Sequence, residues 1–246
     1  MAHLTIEHLS FAYAAAAERP VLEDVSLQLR AGEIVGVGGL SHCGMHTLGK
    51  ILFGAEHAVS GKVATADGTA ITNETVAMKK GIGYVAKDRD VESLTLSASI
   101  RDNISIAGME KFAVGNFLVL GGKEKKYVDA QIEALSIKCA DRDQQVSQLS
   151  GGNKQKVVFG KWIGRDSRIL ILDCPTRGVD IGVKRAMYQL MEQLKNEGKS
   201  ILMISEEMPE LMGMSDRLII MKDGRIMKEF MRSADLSDTE IIQYMI

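Results

Sequence analysis

Apolar and polar positions alternate between two regimes along the 246 residues. Nearly continuous apolar runs at Arg168-Ile169-Leu170-Ile171-Leu172 and Ser200-Ile201-Leu202-Met203-Ile204 predict strands of a parallel sheet covered on both faces. Glu33-Ile34-Val35-Gly36-Val37 and Ile82-Gly83-Tyr84-Val85 predict two more. Between the first pair, Val183, Met187, Leu190, Met191 and Leu194 recur at helical spacing, with Asp180 as N-cap and Gly198 as the stop. Strand, helix, strand in that order implies a right-handed crossover. Arg217-Leu218-Ile219-Ile220-Met221 and Ile226-Met227-Lys228-Glu229-Phe230 flank Asp223-Gly224, a hairpin pattern. From about 96 to 148 the strand pattern fades, while Val128, Ile132 and Leu135 mark an amphipathic helix. The pattern therefore predicts an α/β chain carrying a helical insertion.

Composition narrows the partners. With Lys+Arg 30 against Asp+Glu 32, no overall basic field draws the chain to nucleic acid. No apolar run nears the ~20 residues that span a bilayer, and the N-terminus lacks a signal-peptide core. Three cysteines, Cys43, Cys139 and Cys174, are too few for a disulfide framework and fit a reducing cytoplasm. Any work at a membrane would need a partner there.

The chemistry begins at Leu149-Ser150-Gly151-Gly152-Asn153-Lys154-Gln155-Lys156-Val157, where two glycines follow a serine at a helix start. Glycines admit close backbone approach, the helix N-terminus offers free N–H groups, and Ser150 adds a hydroxyl, so the string makes an anion cradle. Three of those residues also describe an ordinary helix start. The longer string resembles the signature motif of ABC-type nucleotide-binding domains, which in that family contacts the γ-phosphate held by the opposite subunit. The strand ending at Asp173 resembles a Walker B strand, with Asp173 as magnesium ligand. Asp180 in Pro175-Thr176-Arg177-Gly178-Val179-Asp180 matches the D-loop aspartate. Tyr13 stands where the family places an aromatic against adenine; read from the residue alone, it is a half-buried strand aromatic.

A narrower match lies in Cys174-Pro175-Thr176-Arg177-Gly178-Val179-Asp180-Ile181-Gly182 and Ser205-Glu206-Glu207-Met208-Pro209-Glu210-Leu211. These resemble the second ATP-binding half of bacterial ribose-, galactose- and nucleoside-type importers. The resemblance implies a P-loop NTPase (RecA-like) core with an antiparallel β subdomain and a helical subdomain, all in one nucleotide-binding domain over 1–246. It implies ATP and Mg2+ as cofactors and three kinds of partner: a second ABC ATPase subunit with an intact Walker A, two membrane permeases, and an external substrate-binding protein. Such a chain is cytoplasmic and peripheral on the inner face of the cell membrane. A Met at position 1 ahead of a full set of motifs is what a separately encoded cassette would show.

Against that template several positions are broken. A Walker A loop reads G-x-x-x-x-G-K-[ST]: backbone N–H groups wrap phosphates, Lys neutralises them and the hydroxyl binds magnesium. Here Gly39 and Gly44 stand, but the Lys position is Met45, the hydroxyl position His46, and an inner glycine His42. Thr47 follows, yet one helical residue turns a side chain by about 100 degrees, so it is no obvious substitute. The general-base glutamate is Cys174, a poor base and weak acceptor. The switch histidine is Glu206, and the Q-loop position is Lys87, ahead of Asp88-Arg89, which match the subgroup. The family's own-site chemistry is thus expected to be lost, with Ser150, Gly151, Gly152 and Asn153 still able to act on a partner's ATP. A soluble, non-transport ABC protein or nucleotide sensor is the alternative; the tandem domains, coiled coils or basic surfaces usual there are absent from the sequence. His42, Cys43 and His46, with Asp173 and Cys174 brought near by the family's geometry, also offer zinc-binding groups. Their spacing matches no zinc signature, and drift at an unused site explains the same residues.

Overall fold

The computed structural model describes residues 2–13, 20–114, 118–233 and 235–246. The chain divides into two compact units: Met1–Tyr84, Arg168–Pro175 and Tyr188–Ile246 form the first, Val85–Ser167 and Thr176–Met187 the second. In chain order the elements are β1 (Ala2–Phe11), β2 (Leu22–Arg30), β3 (Ile34–Gly39), α1 (Met45–Phe53), β4 (Ser60–Thr65), α2 (Glu74–Lys79) and β5 (Ile82–Val85). Next come α3 (Ile100–Ser105), β6 (Ala113–Val114), β7 (Leu118–Val119), α4 (Gly121–Ala134), α5 (Gly151–Gly164), β8 (Ile169–Asp173) and α6 (Ile181–Asn196). The chain closes with β9 (Ser200–Ile204), α7 (Met208–Met214), β10 (Arg217–Lys222), β11 (Arg225–Met231) and α8 (Asp238–Ile242).

A six-stranded sheet in the order β11-β10-β3-β9-β8-β5 forms the core of the first unit. Every residue of β3, β8 and β9 is buried, which is why their sequences read as unbroken apolar runs. Register puts both Val37 of β3 and Asp173 of β8 opposite Ile204 of β9. The loop after β3 and the end of β8 therefore emerge at one height, at the carboxyl edge of the sheet where ligands of open α/β sheets bind. At the other edge, buried Arg217 donates two bonds to Glu33 (2.9 and 3.1 Å) and one to Glu229 (3.1 Å).

A separate antiparallel sheet, β2-β1-β4, is the antiparallel β subdomain the resemblance implied, although the apolar pattern alone did not mark its strands. In β2 the alternation holds, with Leu22, Val25, Leu27 and Leu29 inward, but a bulge at Asp24 (φ 53) breaks its phase. β4 opens with three exposed residues, Ser60, Gly61 and Lys62, and so carries no apolar signal.

In the second unit the helix expected from Val128, Ile132 and Leu135 is α4, with Leu135 just past its end. α3 is nucleated by a reciprocal capping box between Ser99 and Asp102. Within the stretch expected as a helical insertion, about 96–148, the chain also forms the β6–β7 pair, whose two-residue strands are too short to leave a periodic trace. No helix among the described residues is long and apolar enough to cross a membrane.

Candidate functional site

The loop joining β3 to α1 is built on two glycines that nothing else could replace. Gly44 caps α1 at φ 97, and a Cβ there would lie 2.5 Å from the Val21 carbonyl oxygen. At Gly39 a Cβ would lie 2.4 Å from the Met221 carbonyl. His42, exposed at the inner-glycine position, is held at φ 69, a left-handed conformation costing an L-residue about 1–2 kcal/mol. The loop thus takes a left-handed turn at His42 that a glycine would adopt freely.

Met45, at the position where the motif would place a lysine, is 1% exposed and packs into the core. His46, at the position where the motif would place the hydroxyl, turns onto Asp173: its Nδ1 is hydrogen-bonded to Asp173 Oδ1 at 2.7 Å, and its Nε2 is 3.4 Å from Glu206 Oε1. Asp173 is fully buried and accepts a long bond, 3.5 Å, from the Tyr84 hydroxyl. Cys174 follows at φ 50, buried, its N–H donating to the Ile204 carbonyl at 2.9 Å. Ligand atoms of His46, Asp173 and Cys174 all lie within 4.8 Å of one another, the proximity the family's geometry led us to expect. His42 and Cys43 are not part of that cluster; burial pushes the Cys43 thiol up from its ordinary range.

Thr47 does not take over the missing hydroxyl's place beside Asp173; its buried Oγ1 is 3.3 Å from the Tyr13 hydroxyl. Tyr13 is 68% exposed, so the half-buried strand reading is corrected: it stands past the end of β1, braced edge-on by Phe11 at 4.9 Å. It walls an open cavity of about 700 Å³ with His42, Gly44, His46 and Thr47. Pro20, Val21, Glu23, Asp223, Gly224 and Arg225 complete the wall, and sequence reasoning missed them. Asp223-Gly224 announced a turn, but no local signal says where a turn will land. Here Gly224 N–H donates to the Cys43 carbonyl (3.1 Å) and Glu23 N–H to the Gly224 carbonyl (2.9 Å), while Arg225 pairs with Glu23.

Magnesium requires near-octahedral hard oxygens. The donors here are imidazole, carboxylate and thiol, and the imidazole already occupies Asp173 Oδ1. This set does not fit magnesium. The glycine cradle and the Tyr13 wall still fit a ligand bearing a ring and an anionic group.

In the second unit the signature string is intact in form. Ser150 caps α5, accepting from Asn153 N–H (3.4 Å) and Asn153 Nδ2 (3.0 Å). Packing is tight at both glycines: a Cβ on Gly152 would lie 2.7 Å from Val183 Cγ2, and one on Gly151 2.9 Å from Arg89 Nη2 and 3.2 Å from the Gly178 carbonyl. Asp180 caps α6, accepting from Val183 N–H at 3.0 Å, as predicted. Arg89 Nη1 donates to the Arg177 carbonyl at 2.7 Å and so clamps the Pro175–Asp180 loop, a task its sequence gave no sign of. Lys87 is half-buried just after β5.

The family profile for ABC transporters matches residues 22–177. The chain belongs to the ABC transporter family. Among curated ABC proteins, the ribose import ATP-binding protein RbsA of Bacillus subtilis (strain 168) is 45% identical over 208 residues, 84% of this chain and 42% of the relative. RbsA of Clostridium tetani is 37% identical over 226 residues, 92% of this chain and 45% of the relative. The chain thus spans less than half the length of the curated ABC relatives it matches. Solved ABC cassettes share its P-loop NTPase fold. A dimeric cassette bound to ADP and phosphate has TM-score 0.80 at 19% identity, covering 94% of this chain and 99% of that one. A nucleotide-free cassette also has TM-score 0.80, at 21% identity, covering 100% and 99%.

Proposed function

We propose that this chain is an ATP-binding-cassette subunit of a sugar importer whose own nucleotide site is degenerate. In this reading it serves chiefly by completing a partner's site. One observation carries it: the damage is one-sided. The cation, hydroxyl and base positions are Met45, His46 and Cys174, with the imidazole seated on Asp173, while Ser150, Gly151 and Gly152 still open α5 with a capped, glycine-lined N-terminus. A helix N-terminus of this kind stabilises a phosphate through free N–H groups and the helix dipole. The phosphate would be the γ-phosphate of ATP held by a second cassette with an intact Walker A, where magnesium neutralises the developing charge. Loss of a positioned base costs roughly 10²–10⁴ in rate, and the missing cation and metal ligand lower it further, so the own site contributes little turnover.

The relatives' names support sugar, and ribose in particular, as the cargo class, reached through two permeases and an external binding protein. The chain itself would sit on the inner membrane face through those permeases. More than half of each relative lies outside the matched stretch, which leaves room for a second cassette.

The test uses the assembled importer and the isolated chain. Ser150→Arg abolishes ATP hydrolysis by the complex, whereas Met45→Lys alone changes it little. An isolated chain that hydrolyses ATP at the rate of an ordinary cassette, or a complex indifferent to Ser150→Arg, sinks the reading.

A further inference from the structure

We propose that His46, Asp173 and Cys174 form a binding site for a zinc-type divalent cation, built where the fold would otherwise hold magnesium with phosphate. The proposal rests on the first unit's own geometry and stands whether or not the chain completes a partner's site.

Three donors of three kinds converge: an imidazole, a carboxylate and a thiol, with ligand atoms within 4.8 Å of one another. Zinc bonds of about 2.0–2.3 Å at tetrahedral angles put donors about 3.3–3.8 Å apart, so small side-chain adjustments suffice to close the site. The mixed nitrogen, oxygen and sulfur set suits a borderline-soft ion and disfavours magnesium, which takes oxygen.

The surroundings match what such a site needs beyond its ligands. If Nδ1 of His46 takes the metal, its Nε2–H faces Glu206 Oε1 at 3.4 Å, the imidazole–carboxylate support that orients metal-bound histidines. The Tyr84 hydroxyl, 3.5 Å from Asp173 Oδ2, holds the far oxygen of the carboxylate. His46 also borders the open cavity, which leaves a fourth coordination position to water or an anion. Charge balances as well: a carboxylate whose side chain is 1% exposed and a thiolate together neutralise a dication in a buried place. Both residues clustered with Asp173 carry metal-donor atoms.

The experiment takes the purified full chain, stripped by a chelator, and titrates it with Co2+ as a spectroscopic probe. Saturation at about one equivalent is expected, with a thiolate-to-cobalt charge-transfer band and the intense visible bands of tetrahedral cobalt. Zinc should displace the cobalt, and a large excess of Mg2+ should not. Cys174→Ser should abolish the charge-transfer band, His46→Ala, which removes a direct ligand, should weaken binding by more than the roughly 10- to 100-fold that loss of an outer partner costs, and a Cys43→Ser/Cys139→Ser variant should keep the full spectrum. Circular dichroism confirms that each variant is folded, and the wild-type cobalt spectrum reports the thiolate without any substitution. Uptake below about a tenth of an equivalent, a band that survives Cys174→Ser, or ready displacement by Mg2+ overturns the proposal.

Discussion

Two contacts in this protein share one length and differ in almost everything else, which makes them a test of how the site is held. His46 Nδ1 meets Asp173 Oδ1 at 2.7 Å with side chains 26% and 1% exposed. His8 Nδ1 meets Asp24 Oδ1 at 2.7 Å with side chains 80% and 70% exposed. Deleting the first imidazole strands a buried carboxylate with a single long hydroxyl contact from Tyr84. Breaking a fully buried pair costs about 3–5 kcal/mol, and because His46 is a quarter exposed, water can reach part of the gap. We therefore expect His46→Ala to cost about 2–4 kcal/mol in the metal-free protein. Asp173→Asn keeps the shape and removes the charge, so in the double variant nothing charged is stranded. The coupling energy from the cycle should be about 1.5 kcal/mol or more. His8→Ala, by contrast, should cost less than about 0.5 kcal/mol, because the exposed partners keep their water. The assay is urea unfolding followed by circular dichroism, in chelator, for all four members of the cycle and the His8 control. A coupling below about 0.5 kcal/mol, or equal costs for His8→Ala and His46→Ala, would refute the claim that the imidazole is a structural partner of Asp173.

Other predictions follow the same logic of burial. Arg217→Met leaves the buried Glu33 with the Arg30 N–H and the more distant Arg30 guanidinium and should cost about 2–4 kcal/mol in urea unfolding, whereas Glu229→Gln, at the 47%-exposed end of the network, should cost under about 1 kcal/mol. Gly44→Ala meets both strain at φ 97 and the Val21 carbonyl, and should cost about 2–4 kcal/mol; Gly198→Ala, at φ 85 in open space, should cost about 1 kcal/mol. Burial pushes the Lys161 ammonium down to about 8 from its ordinary 10.5. The unfolded chain then binds more protons between those values, so the penalty is full below about pH 8 and fades as pH rises through the window. Wild-type stability relative to Lys161→Met should rise by at most ~3 kcal/mol across it, and a pH-independent difference would contradict the burial.

Much of this molecule was legible as sequence because the physics that encodes it is local. Strands buried on both faces need runs such as Ile169-Leu170-Ile171-Leu172, and a helix that opens on two glycines behind a serine announces its own N-terminus. The departures from the family's motif at Met45, His46 and Cys174 are likewise a matter of position along the chain. What escaped were features whose signals are weak or broken: a bulged β2, a polar β4, and strands of two residues.

Tertiary structure alone decided where those residues point. His46 and Asp173 are 127 positions apart and meet because β3 and β8 flank β9 in parallel register, bringing Val37 and Asp173 opposite the same Ile204. The same sheet edge receives the Asp223-Gly224 turn, so a hairpin that reads as mere punctuation becomes a wall of the cavity beside Tyr13. Sequence says which groups the chain possesses. Register and strand order fix which of them share a few ångströms, and at that distance a buried carboxylate becomes the partner of an imidazole.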